Sequence, residues 1–93
     1  MVFTKRLQEG VRDGSITRTV RIWKHRRVKV GQRYRFDGGW LHIDAMRPIG
    51  INDITPKMAR ECGFNGLVDL LKIAQHGAGT NVYLIDFHYV SGA

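Results

Sequence analysis

Apolar residues recur at four-residue spacing at the start of the chain, at Phe3, Leu7 and Val11, and then near every second position, at Ile16, Val20 and Ile22. The first spacing predicts a helix with one apolar stripe, with Thr4 placed to cap it and Gly14 to end it in a left-handed turn. The second predicts a strand whose apolar side packs inward while Thr17, Thr19 and Arg21 share the other side. Arg18 breaks the apolar row, which fits either a bulge or an edge strand. Residues 24–32 have no period and read as an exposed loop. Residues 32–36 and 40–46 predict a hairpin that turns on Asp37, Gly38 and Gly39, residues that tolerate positive φ. Leu41, Ile43 and Ala45 would then face in, and Trp40, His42 and Asp44 the other way. Pro48 and Gly50 interrupt the pattern. Thr55 followed by Pro56 starts a helix that Gly63 stops, and Asn65 is placed to cap another that carries Leu67, Leu70, Leu71 and Ile73 and ends before Gly77 and Gly79. Residues 80–90, rich in β-branched and aromatic side chains, predict a buried final strand. The order is α, β, β, β, α, α, β.

Ninety-three residues, 43% hydrophobic and 25% charged, suit a single globular domain over residues 1–93. Charge changes the picture more than composition does. The formal net charge is +7, and twelve of the fifteen Lys and Arg residues lie at or before Arg47. Between Gly14 and Phe36 there are eight, Arg18, Arg21, Lys24, Arg26, Arg27, Lys29, Arg33 and Arg35, and no acid. A segment of one sign attracts polyanions, and the aromatic faces of Trp23, Tyr34 and Trp40 are candidate platforms for a base. RNA is the first partner this implies, with DNA and an acidic protein as the other polyanionic partners. In that reading Lys24, His25, Arg26, Arg27 and Lys29 follow the nucleic-acid backbone, joined by Arg33 and Arg35. Thr17, Thr19 and Arg21 line a cleft in which a guanidinium grips a phosphate or carboxylate with two parallel hydrogen bonds. A salt bridge from Arg21 to Asp86 or Asp44 is the competing structural role.

The remaining chemistry narrows little. One cysteine, Cys62, rules out an internal disulfide and a multi-thiolate zinc site, and its expected role is that of a small buried hydrophobe. The histidines His25, His42, His76 and His88 lack metal-ligand spacing, although His42 and His88 sit on predicted strands that can meet. Neither a metal nor a cofactor is expected. No apolar run reaches membrane-span length, and the opening MVFTKRLQEG lacks a signal-peptide layout, so a cytoplasmic protein with no membrane partner is expected.

With these residues in view, the chain resembles the ASCH domain, one of the PUA-like small β-barrels that mostly bind RNA. The likeness rests on Phe3 before a helix ending in glycine and on Gly14 followed by Thr17, Thr19 and Arg21 as the family's T-x-T-x-R. It rests also on the turn at Val30, Gly31 and Gln32, on the helix in ITPKMARECGF and on the closing strand VYLIDF. The resemblance implies an α+β fold: a small, partly open β-barrel of about five strands with two to three packed helices and a cleft beside the T-x-T-x-R strand. The family also includes acetylcytidine amidohydrolases, and one member is described as a ribonuclease. The amidohydrolase pattern, carried over by position, puts its lysine on Ile16, its threonine on Thr19 and its glutamate on Cys62, with Glu61 one position away. Two of the three groups are absent, and a threonine without an adjacent base is a poor nucleophile. Metal-free RNA cleavage would draw on His25 between Lys24 and Arg26. No catalytic residue is assigned. An RNA-binding module is the leading expectation, with a small hydrolase of RNA or a modified nucleoside, or a basic protein-interaction adaptor, as alternatives.

Overall fold

The structure is a computed structural model that describes residues 3–74 and 79–92. His76 and Gly77 lie outside the described residues.

Helix α1 (Lys5–Asp13) buries Leu7 and Val11 on its one apolar stripe and ends at Gly14, where φ is +85°. A left-handed residue there carries no Cβ penalty. Thr4 occupies the cap position, but its hydroxyl makes no capping hydrogen bond. Four strands follow: β1 (Arg18–Trp23), β2 (Arg33–Phe36), β3 (Gly39–Ile49) and, last in the chain, β4 (Asn81–Ser91). Between β3 and β4 come a short 3₁₀ turn (Ile51–Asp53), helix α2 (Pro56–Glu61) and helix α3 (Leu67–Ala74). Thr55 caps α2, its hydroxyl accepting the Met58 N–H at 3.1 Å. Before α3, the Asp69 carboxylate accepts the Asn65 N–H at 3.0 Å and also pairs with Arg6.

All strand pairs are antiparallel, in the order β1-β4-β3-β2. The fold is therefore α+β, with a four-stranded open sheet and three α-helices among the described residues. The expected barrel of about five strands does not close there, because β1 and β2 are the two edges and no ladder joins them. The edge position also resolves Arg18. It opens β1 opposite Asp86 and pairs with it at 2.8 Å, so no bulge in β1 is needed.

A bulge does occur, in β3. The register against β4 slips between Ile43 and Ala45, leaving Asp44 as the extra residue. An extra residue inverts the inside-outside alternation beyond it. Leu41 and Ile43 are buried as predicted, but Ala45 is exposed and Met46 takes its place on the inner face. Beyond the bulge β3 runs past Pro48 to Ile49, where sequence pattern ended it. Pro48 pairs with Tyr83 of β4 on one side, while β2 pairs only with residues 39–42, so the missing N–H falls on a free edge. The hairpin turn carries Asp37 at φ +46° and Gly38 at φ +77°, the two positive-φ positions of a tight two-residue turn.

The inner face of the sheet is an aromatic and aliphatic core. Phe3 packs on Phe36 and Phe87 with ring centroids at 5.7 and 5.3 Å, and Phe36 meets Tyr89 at 6.1 Å. On the outer face, Val20 and Leu84 at the β1–β4 end are buried, as are Ala59 of α2 and Cys62 just after it, and the part formed by β2 and the start of β3 stays open. No helix of the described residues is long and apolar enough to cross a membrane.

Candidate nucleic-acid interface

Antiparallel partners share a face, so the register sorts the predicted site residues. Thr19 faces Ile85 and Arg21 faces Tyr83, on the inner side. Arg33, His42 and His88 form one cross-strand row, and Arg35, Trp40 and Val90 the next, both on the outer side. The residues expected to form one groove thus fall into three groups.

The first group lies in a cavity of about 240 Å³ between the inner face, α1 and α3, with Phe3, Leu7, Phe64 and Ile73 among its walls. Thr19 and Arg21 are 4% and 6% exposed: alternation groups them on one side of β1, but that side is the inner face under Phe3 and Leu7 and not the non-core side expected. The Arg21 Nε–H donates to the Thr19 hydroxyl at 3.2 Å, and the guanidinium lies 4.8 Å from the Phe3 ring centroid. Burial pulls Arg21 down to about 10, which leaves it a cation at neutral pH. The expected ion pairs to Asp86 or Asp44 are not formed, since Arg18 takes Asp86 and His88 takes Asp44. Lys72 stands exposed at the rim, and the Thr4 hydroxyl is buried without a hydrogen-bond partner among the described residues. Thr17 lies outside this cavity: it is exposed, and its carbonyl accepts the Phe87 N–H at 2.9 Å.

The second group is the loop after β1. Lys24, His25, Arg26, Arg27 and Lys29 are all exposed, whereas Val28 is 3% exposed and pins the loop to the core. Two further ties hold it. The Lys29 N–H donates to the Tyr34 hydroxyl at 2.9 Å, and the Arg26 guanidinium lies 5.5 Å from the Tyr83 ring centroid. An open basin of about 460 Å³ is lined by Arg26, Arg27, Lys29 and Val30 together with Tyr34 and Met46 of the inner face. Among the described residues, none of these loop cations is paired with a carboxylate. Five carboxylates are engaged elsewhere, Asp37 by Arg12, Asp69 by Arg6, Asp86 and Glu61 by Arg18, and Asp44 by His88. The loop is left with uncompensated positive charge and is fastened at several points.

The third group is Arg33 and Arg35 on the outer face, each guanidinium over the Trp40 ring at 4.1 and 4.8 Å from its centroid. Beside them His42 and His88 stack at 4.9 Å and 17°. His88 Nδ1 lies 2.8 Å from Asp44 Oδ2, across the strand from the bulge that exposes that acid.

Among the candidate platforms, Trp23 is ruled out: it is 2% exposed and packs on Tyr83. The amidohydrolase positions bring together an apolar Ile16, a Thr19 hydroxyl already hydrogen-bonded to Arg21, and a buried Cys62 whose thiol is pushed up to about 12 by burial. Such a thiol is protonated and inert at neutral pH. No group of three or more His, Cys, Asp or Glu able to hold a metal occurs among the described residues. Sequence reasoning missed the part that α3 plays at the cavity, since nothing in the spacing of Lys72 and Ile73 links them to Arg21. No protein-family model, curated protein or solved structure matches the chain.

Proposed function

We propose that this chain is a single-stranded RNA-binding domain of the ASCH, PUA-like type, and that its primary contact is the basic loop between β1 and β2. The observation that carries the reading is the exposed set Lys24, Arg26, Arg27 and Lys29, without carboxylate partners among the described residues and tied down by Val28 and Tyr34. Ordered cations lose less freedom on meeting phosphates than floppy ones do, and their field draws a polyanion from solution. The family assignment is part of the proposal. It is supported by the order of elements and by the position of Thr19 and Arg21 beside a cavity; the open sheet would then be the barrel's opened form. The cavity has room for one small group, and Arg21 at its base suits an anionic or hydrogen-bond-accepting edge.

Titration of a labelled single-stranded RNA across a range of salt concentrations tests this. Four to six phosphate contacts give a log-log slope of about −3 to −4, and a flat response overturns the reading. Arg26→Ala/Arg27→Ala weakens binding alike for all sequences, whereas Arg21→Ala changes affinity or selectivity at one position. Unchanged binding in both variants means the site lies elsewhere. A DNA strand of the same sequence and an acidic polypeptide, used as competitors, separate RNA from the other polyanions.

A further inference from the structure

The basic loop lies against the inner face, yet the chain that leaves it turns into β2, an edge strand, and sends its next two arginines to the opposite face. The ladder begins as the loop ends, with the Gly31 N–H donating to the Ile43 carbonyl at 2.9 Å and Gln32 accepting from Ile43 at 3.0 Å. One continuous run of cations therefore passes around the free edge of the sheet.

On the outer face the two guanidiniums are prepared for a ligand in three ways. Each lies against the Trp40 ring, at 4.1 and 4.8 Å from its centroid, which restricts its motion. Neither is paired with a carboxylate among the described residues, and the nearby acid, Asp44, is held by His88. The indole N–H of Trp40 is covered and has no acceptor among the described residues, an unmet donor that a ligand reaches only when the side chains over it shift. Charge complementarity selects the occupant. Arg33, Arg35 and Arg47 are exposed cations of β2 and β3, and Asp44 and Asp86, on β3 and β4, are already engaged.

We infer that the open face of β2 and β3 is a second contact for the same RNA strand, in which Arg33 and Arg35, stacked on Trp40, clamp its phosphodiester backbone as it passes around the β2 edge. This rests on the RNA-binding reading above and extends it from one side of the sheet to both. The strand reaches the clamp directly from the loop. His42, half-buried, and His88, exposed, border it as a stacked imidazole pair that can accept a base or sugar edge.

The test uses the full chain and a fluorescein-labelled oligouridylate of about 15 nucleotides, long enough to contact both faces. Anisotropy is followed as salt rises from about 50 to 200 mM. Arg33→Gln/Arg35→Gln is expected to lower affinity about tenfold or more and to flatten the salt slope by about 1.4, the value for two lost phosphate contacts on a single strand. Arg33→Lys/Arg35→Lys is expected to keep the slope but lose affinity, because an ammonium neither forks nor stacks as a plane. Lys5→Gln/Lys57→Gln, which removes the same charge from exposed positions elsewhere, is expected to change affinity about twofold at most, as a screened distant field would.

Wild-type affinity in Arg33→Gln/Arg35→Gln, alongside weakened binding in Arg26→Ala/Arg27→Ala, overturns the clamp and leaves the RNA-binding reading standing. Wild-type affinity in Arg33→Lys/Arg35→Lys, or an equal loss in Lys5→Gln/Lys57→Gln, also overturns it, since charge alone would then suffice. Absence of binding by the unmodified protein overturns the RNA reading and the clamp with it. An independent readout needs no variant: 4-thiouridine in the oligonucleotide is expected to cross-link both to the loop and to the peptide carrying Trp40. Cross-links confined to the loop overturn the inference.

Discussion

Arg21 and Arg35 differ in sequence only by what surrounds them, yet the two faces of one sheet make them different groups. On the inner face Arg21 is roofed by α1 and α3, lies against Phe3, and has its pKa lowered by desolvation. On the outer face Arg35 is exposed and rests on Trp40 with water on its other side. Both guanidiniums meet an aromatic ring. Water makes the difference: the inner one borders a cavity of about 240 Å³, whereas the outer one faces solvent.

The largest expected difference between the faces is in stability. Phe87 is 1% exposed at the centre of the inner core, and Phe87→Ala should cost about 3–5 kcal/mol of unfolding free energy in urea titration. Trp40→Ala on the outer face should cost no more than about 2 kcal/mol while weakening RNA binding. Equal losses would mean that the outer aromatic is a core residue and not a ligand platform.

A sharper probe is alkaline pH, which reaches only the buried side. Burial raises the Cys62 thiol from 9.0 to about 12, so above pH 9 the unfolded chain sheds this proton while the folded chain keeps it. Stability contributed by the protonated thiol should therefore fall as pH rises from 9 toward 10, by up to about 1.4 kcal/mol per pH unit. Above about 10 Arg21 acts with the opposite sign, because its folded form gives up a proton before its unfolded form does. Urea titrations on either side of pH 9 should show the fall in the wild type and not in Cys62→Ala. In the native protein at neutral pH the thiol should resist a disulfide reagent until denaturant is added.

The smallest effect belongs to the edge. The Arg18 and Asp86 side chains are 35% and 39% exposed, so Asp86→Asn should cost at most about 1 kcal/mol, and less in high salt. A larger loss would mean that the pair braces the open sheet.

Local structure was largely legible in the sequence where a residue dictates its own backbone. Gly14 ends α1, Thr55 and Pro56 start α2, and Asp37 with Gly38 make the hairpin turn. The period of two in β1 was only partly readable: it separates Thr19 and Arg21 from Val20 and Ile22, but all four are buried and the threonine and arginine lie on the inner face. What failed was any inference that assumed one face of a strand meets water. Alternation tells that Thr19 and Arg21 share a side, but not that helices from distant parts of the chain will cover it. The bulge at Asp44 was equally invisible, because it depends on how β3 pairs with β4 some forty residues later. It reversed the expected burial of Ala45.

The basic run, its lack of acids and the turns that punctuate it are written in the chain itself, because charge and backbone preference are properties of single residues. The division of that run between two faces was decided only when β2 became an edge strand, since which side a side chain faces is a property of a strand and its partner together. Enclosure of Arg21 was likewise a tertiary outcome, because desolvation is imposed by neighbours. Residue types supplied the cations, and packing determined which of them meet solvent.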